Sequence, residues 1–168
     1  MELRPYQKDA VEAIIGQWNS GFQRTLLVLP TGTGKTVVFS KVVEEEVKDG
    51  SNALILAHRG ELLEQASDKL RLTSGLDSAL EKAESTSIGS GLQVTVASIQ
   101  TISQVKRLTK FPKNYFKTII VDEAHHSMSD SYQRVLQYFD TANVLGVTAT
   151  PDRADQKNLV KFFNSKAY

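Results

Sequence analysis

The chain has 168 residues, 40% apolar and 23% charged, with a net charge of +1. That balance fits one soluble globular domain with a sizeable core, and bulk charge gives no sign of a nucleic-acid binder. Cysteine is absent, which excludes disulfides and thiolate metal sites; no stretch reaches the ~18 apolar residues of a membrane span, and the polar start 1-MELRPYQKDA-10 is no secretory signal, so a cytoplasmic location is expected.

In chain order, residues 6–18 carry Val11, Ile14, Ile15 and Trp18 at helical spacing, and the apolar run 25-TLLVL-29 follows as a strand. Residues 35–48 repeat Val38, Val42, Val43 and Val47 as a helix stopped by Asp49-Gly50. The strand 53-ALILA-57 leads into a helix over 60–72 with Leu62, Leu63, Ala66 and Leu70. Residues 73–91, rich in Ser and Gly, predict a long loop with at most a short helix around 79–84. Strands 93-QVTVA-97, 118-TIIVD-122 and 143-NVLGV-147 follow, with helices over 131–139 and about 153–163. The strands are rich in Val, Ile and Leu and do not alternate with polar residues, as expected where a parallel sheet is buried on both faces. Strands alternating with helices predict a three-layer α/β domain with right-handed crossovers.

The stretch 29-LPTGTGKT-36 joins the first strand to a helix, the context a phosphate-binding loop needs. Gly32 and Gly34 let backbone amides turn toward phosphate oxygens, and the helix start adds its positive end. Lys35 supplies a mobile charge for β- and γ-phosphates, and Thr36 a hydroxyl for Mg²⁺. The usual first glycine of the loop is Leu29 here. The bland reading is a Gly-rich turn with no ligand.

The second chemical element is 119-IIVDEAHH-126. A buried strand delivers Asp122 and Glu123 at its C-terminal end, where ligands sit in open α/β sheets. Asp122 suits Mg²⁺, and Glu123 can orient and deprotonate a water that attacks the γ-phosphate. The bland alternative is a solvated acidic pair. Adjacent His125 and His126 are poor chelators of one ion, so a zinc site is not expected, and His125 is read as a polar link.

Together these motifs resemble the N-terminal motor domain of superfamily 2 DEAH-box helicases and translocases. The order runs 3-LRPYQKDAV-11, 29-LPTGTGKT-36 (motif I), 54-LILAHRGELLEQA-66 (Ia), 94-VTVASIQTI-102 (Ib/Ic region), 121-VDEAHH-126 (II) and 146-GVTATP-151 (III). LRPYQ, AHR, DEAHH and TATPDR are similar to the helicase and type III restriction subunit branch, including RadD-type repair helicases and phage helicases. The resemblance implies a RecA-like P-loop NTPase fold with a mainly parallel sheet. It implies ATP and Mg²⁺ held by Thr31, Gly32, Thr33, Gly34, Lys35 and Thr36, with Gln7 reading adenine beside Arg4 or Tyr6. It further implies Arg59, Gln100 and Thr101 beside a nucleic-acid backbone, DNA more than RNA, and Thr148 and Thr150 coupling the two sites. Lys106, Arg107, Lys110, Lys113 and Lys117 form an acid-free run that fits either a phosphate-contacting face or an ordinary solvated one. The aromatics Tyr132, Tyr138, Phe139, Phe162 and Phe163 are read as core.

The family's motor has a second RecA-like domain with motifs IV to VI and an arginine finger, and this chain carries none of these. As one half of a motor it is expected to bind nucleotide weakly and hydrolyse it poorly. Two other readings stay open: a P-loop switch acting on proteins, and a binding module with a dead site.

Overall fold

The computed structural model describes residues 2–30, 34–58, 63–82 and 85–149, together with 159, 161–163, 165 and 167. Strands β1 (Arg24–Val28), β2 (Asn52–Ala57), β3 (Ser78–Glu81), β4 (Val94–Ser98), β5 (Phe116–Asp122) and β6 (Asn143–Thr148) form one sheet in the order β1-β6-β5-β2-β4-β3. Every pairing is parallel. Helices α1 (Pro5–Asn19), α2 (Lys35–Glu46) and α3 (Leu63–Ser74) pack on one face, through Ile14, Phe39, Val42 and Leu70 against Leu27, Ile55, Ile120 and Leu145. The other face, with Leu54, Leu56, Ile119 and Val121, is covered by α4 (Ile99–Ile102), α5 (Val105–Leu108) and α6 (Asp130–Tyr138). Successive residues of β2 and β5 therefore feed opposite cores, which is why residues 53–57 and 119–121 are unbroken apolar runs. Tyr132, Phe139 and Phe163 are buried, as the sequence predicts.

Residues 78–81 form a strand, where the sequence predicted loop and a short helix. β3 pairs with β4 from Ser78↔Val94 to Glu81↔Ala97. A strand of four residues is too short to show a period, and its anchor is tertiary. Glu81 is only 1% exposed, lies 3.2 Å from Arg107 Nη1, and accepts bonds from Thr86 Oγ1 (2.8 Å) and the Ser87 amide (2.6 Å). Most of the helix expected over 153–163 lies outside the described residues. At β1's free edge, the Leu26 amide donates to Ser165 and the Ala167 amide donates to Leu26, the bonding pattern of a parallel neighbour.

Gly146 in β6 is required by close approach. A Cβ there would lie 2.5 Å from Phe163 Cζ and 3.0 Å from Ala124 Cβ, both atoms of buried side chains. Gly146→Ala is expected to destabilise the fold by about 1–3 kcal/mol through overpacking, read as a lower denaturant midpoint with an unchanged slope.

Candidate functional site

Because all six strands run the same way, their C-terminal ends share one edge of the sheet. The motifs read from the sequence follow β1, β2, β4, β5 and β6, so the fold collects them there. Thr31, Gly32 and Thr33 lie outside the described residues, as do Arg59 and Thr150. Gly34 caps α2 in the left-handed region (φ 82°), and Lys35 and Thr36 open the helix. The position requires glycine twice over: positive φ disfavours a side chain, and a Cβ would sit 2.4 Å from Gln7 Nε2.

Lys35, Thr36, Phe39, Gln65, Ala66, Lys69, Asp122 and Glu123 line a cleft of about 250 Å³. Larger clefts exist between α1 and α2 (about 410 Å³) and at the opposite end of β1 and β6 (about 450 Å³), but neither gathers the motifs. Asp122 Oδ1 accepts the Glu123 amide at 3.0 Å. Burial raises the Asp122 pKa above the ordinary carboxylate value, helped by the charge of Glu123 and opposed by Lys35 and, more weakly, Lys69. Glu123 follows with φ 56° and ψ 53°, the sole described non-glycine residue at positive φ. Such strain persists only where the surroundings impose it, and the half-exposed Glu123 side chain lines the cleft together with Asp122. The next turn, Ala124–His126, places His125 Nδ1 3.6 Å from Glu123 Oε2.

A raised carboxylate pKa has a defined consequence for stability. The native state holds the Asp122 proton to higher pH than the unfolded chain does. The penalty for ionising it is therefore absent at low pH, appears as pH rises from the unfolded value to the raised native one, and is fully present above that. Asp122→Asn keeps the Oδ1 acceptor and removes the buried charge. It is expected to raise the melting temperature of the ligand-free chain by a few degrees at neutral pH, with the gain shrinking in acid.

Gln7 is 6% exposed. Its Oε1 accepts the Arg4 amide at 2.9 Å, closing the first turn of α1, and its Nε2 faces Gly34. The amide oxygen thus accepts in a cap, and the amide nitrogen lies against Gly34 at the start of α2. Arg4 is exposed beside it. Thr148 is buried, and its carbonyl accepts the Leu29 amide at 3.1 Å, which ties β6 to the start of the loop. Gln100 is exposed and donates through Nε2 to the His58 carbonyl at 2.5 Å. Thr101 turns inward, with its hydroxyl accepting from Ser98 Oγ at 3.0 Å.

Sequence reasoning missed Gln65 and Lys69. They stand one turn apart on α3 and read as its solvated face; only packing of α3 on the sheet brings that face over the end of β5. The basic run is split by the fold. Arg107 pairs with buried Glu81, and Lys117 binds Glu46 (3.1 Å) and Asp49 (2.8 Å), so these two do not join a free face with exposed Lys106 and Lys110.

Comparison with known proteins agrees with this arrangement. Residues 1–153 match the family model described as "Type III restriction enzyme, res subunit". IRC3 of Saccharomyces cerevisiae, named as an ATP-dependent helicase, is 34% identical over 180 aligned positions, covering 99% of this chain and 26% of that protein. XPB2 of Sulfurisphaera tokodaii, named a DNA 3'-5' translocase, is 32% identical over 94% of this chain and 33% of its own. The helicase domain of Pyrococcus furiosus Hef superposes with a TM-score of 0.76 over 96% of this chain and 37% of that one, at 22% identity, and so shares the fold. The chain spans about a quarter to a third of the length of these curated relatives. A family match over nearly the whole chain, on a parallel sheet that collects the motifs following its strands at one edge, places this protein among the superfamily 2 helicase ATP-binding domains of the type III restriction subunit family.

Proposed function

We propose that this chain is the ATP-binding half of a nucleic-acid-dependent ATPase, a DNA helicase or translocase that couples hydrolysis to movement along or unwinding of DNA. The observation that carries the reading is the cleft in which Lys35 and Thr36 face Asp122 and Glu123 at the edge that also bears Gln100 and His58. In this reading Lys35 and the amides of residues 31–34 hold the β- and γ-phosphates of ATP. Thr36 and Asp122 would hold Mg²⁺: they are hard oxygen donors, and a nearby cation relieves the cost of keeping Asp122 charged where it is buried. Bound there, the cation supplies charge neutralisation of the phosphates. Glu123 orients a water toward the γ-phosphate and accepts its proton. In this reading His125, beside Glu123, and Thr148, whose carbonyl accepts the Leu29 amide, couple the two sites together with Thr150.

The reading includes a second RecA-like domain that closes over the nucleotide and supplies the arginine finger, and a cytoplasmic location. Arg59 and Gln100 would contact the nucleic-acid strand, while buried Thr101 would act from behind Gln100. The relative named as a DNA translocase and the restriction-enzyme family favour DNA over RNA. The test is ATP turnover by the chain joined to its second domain, alone and with single-stranded DNA, duplex DNA or RNA. Stimulation by DNA is expected. Turnover indifferent to all three would instead support a switch acting on proteins.

A further inference from the structure

All three histidines of the chain meet at one point. The His58 ring, one residue past β2, stacks on the His126 ring with centroids 3.7 Å apart and planes 11° from parallel. His126 in turn lies 4.1 Å from His125, whose Nδ1 approaches Glu123, and the buried Tyr132 ring lies parallel to His58 at 6.4 Å. A shared metal does not explain the stack. Ring nitrogen lone pairs lie in the ring planes, so near-parallel stacked imidazoles cannot converge on one ion, and no metal-binding group of three or more His, Cys, Asp or Glu occurs among the described residues.

The position of the stack matters more. Pairing of β2 with β5 ends at Leu56↔Val121. Beyond it the described residues of the two segments have no ladder between them, and the stacked rings continue the contact. His58 Nδ1 is buried without a hydrogen-bond partner among the described residues, so neighbouring rings hold the imidazole in place. The His58 carbonyl, meanwhile, is held by exposed Gln100. A chain of contacts thus runs from Gln100 through His58 and His126 to His125 and Glu123.

Resting on the reading of this edge as a nucleic-acid and ATP site, we propose that the His58–His126 stack is a mechanical latch. It joins His58 at the end of β2 to the Asp122–Glu123 turn, so that nucleic acid engaging Gln100 and His58 repositions the Glu123 carboxylate. Both histidines are positioning residues. Aromatic stacking is suited to the task, because it fixes relative ring placement yet is weak enough for a ligand's differential affinity to shift.

The test follows backbone amide resonances of the chain as a deoxythymidine oligomer, or a uridine oligomer, is added. In the wild-type chain, shifts are expected around residues 57–59 and 100–101 and also across 122–126. In His58→Leu and His126→Leu, which fill volume without a ring, the first set is expected to persist and the second to be lost. His58→Phe, which keeps a stack, is expected to restore it. Spectra without oligomer show whether each variant is folded, and His126→Leu with His58→Phe suffices should His58→Leu misfold. The latch is overturned if shifts at 122–126 survive both leucine variants, are missing in the wild type despite binding, or stay lost in the phenylalanine variant. No response anywhere to either oligomer would overturn the nucleic-acid reading itself, and the latch with it.

Discussion

Lys35→Ala is expected to lower ATP turnover by about a hundredfold or more and to weaken nucleotide binding, while leaving the fold intact. Lys35 begins α2 and lines the cleft opposite Asp122. Removing a charge aimed at the phosphates loses electrostatic stabilisation that water cannot replace in a partly enclosed site. The loss should grow along the reaction, because negative charge on the phosphates is redistributed in the transition state. Fluorescent-nucleotide binding and steady-state turnover, measured side by side, check both effects. Stability should fall only modestly at neutral pH, since the charge of Lys35 offsets part of the cost of ionising buried Asp122. A variant with wild-type affinity and turnover would remove the cleft from consideration as the nucleotide site.

Glu123→Gln separates binding from chemistry. The amide is nearly isosteric and keeps the turn, but it cannot accept the proton of an attacking water. Turnover is expected to fall by roughly a hundred- to ten-thousand-fold, with nucleotide affinity kept or improved. Improvement is expected because the variant loses a negative charge that faces the phosphates and that also raises the Asp122 pKa. The comparison with Lys35→Ala is informative. One variant should fail at both binding and turnover, the other at turnover alone. Equal loss of affinity in both would assign Glu123 a binding role.

The bonding of Gln7 carries a similar lesson at smaller scale. Its carbonyl oxygen accepts the Arg4 amide with one of its two lone pairs, and its amino end lies beside Gly34. Replacement of Gln7 is therefore expected to disturb the phosphate loop along with any base contact, which would appear as weaker binding of ADP and of non-adenine nucleotides alike.

Much of this protein was legible before any coordinates. Five of the six strands show as short runs rich in Val, Ile and Leu, because a strand buried on both faces has no wholly polar side to alternate with. The stretch 29-LPTGTGKT-36 and the acidic pair at Asp122 and Glu123, which lines one cleft with Lys35 and Thr36, are equally visible as residue patterns that follow a strand. Those determinants are local, and a linear sequence carries them in full. Long-range geometry is a different matter. Strand β3 depends on a buried pairing of Glu81 with Arg107, 26 positions away, and four residues cannot reveal it. Lys69 enters the cleft only because α3 docks across the sheet, and Lys117 leaves the basic run only because the ends of α2 and β5 meet. The stack of His58 on His126 spans the interval between two motifs that sequence reading treats separately. Motif chemistry was thus determined by the sequence alone, whereas the contacts between motifs were decided by the parallel sheet, which brings residues far apart in the chain to a single edge.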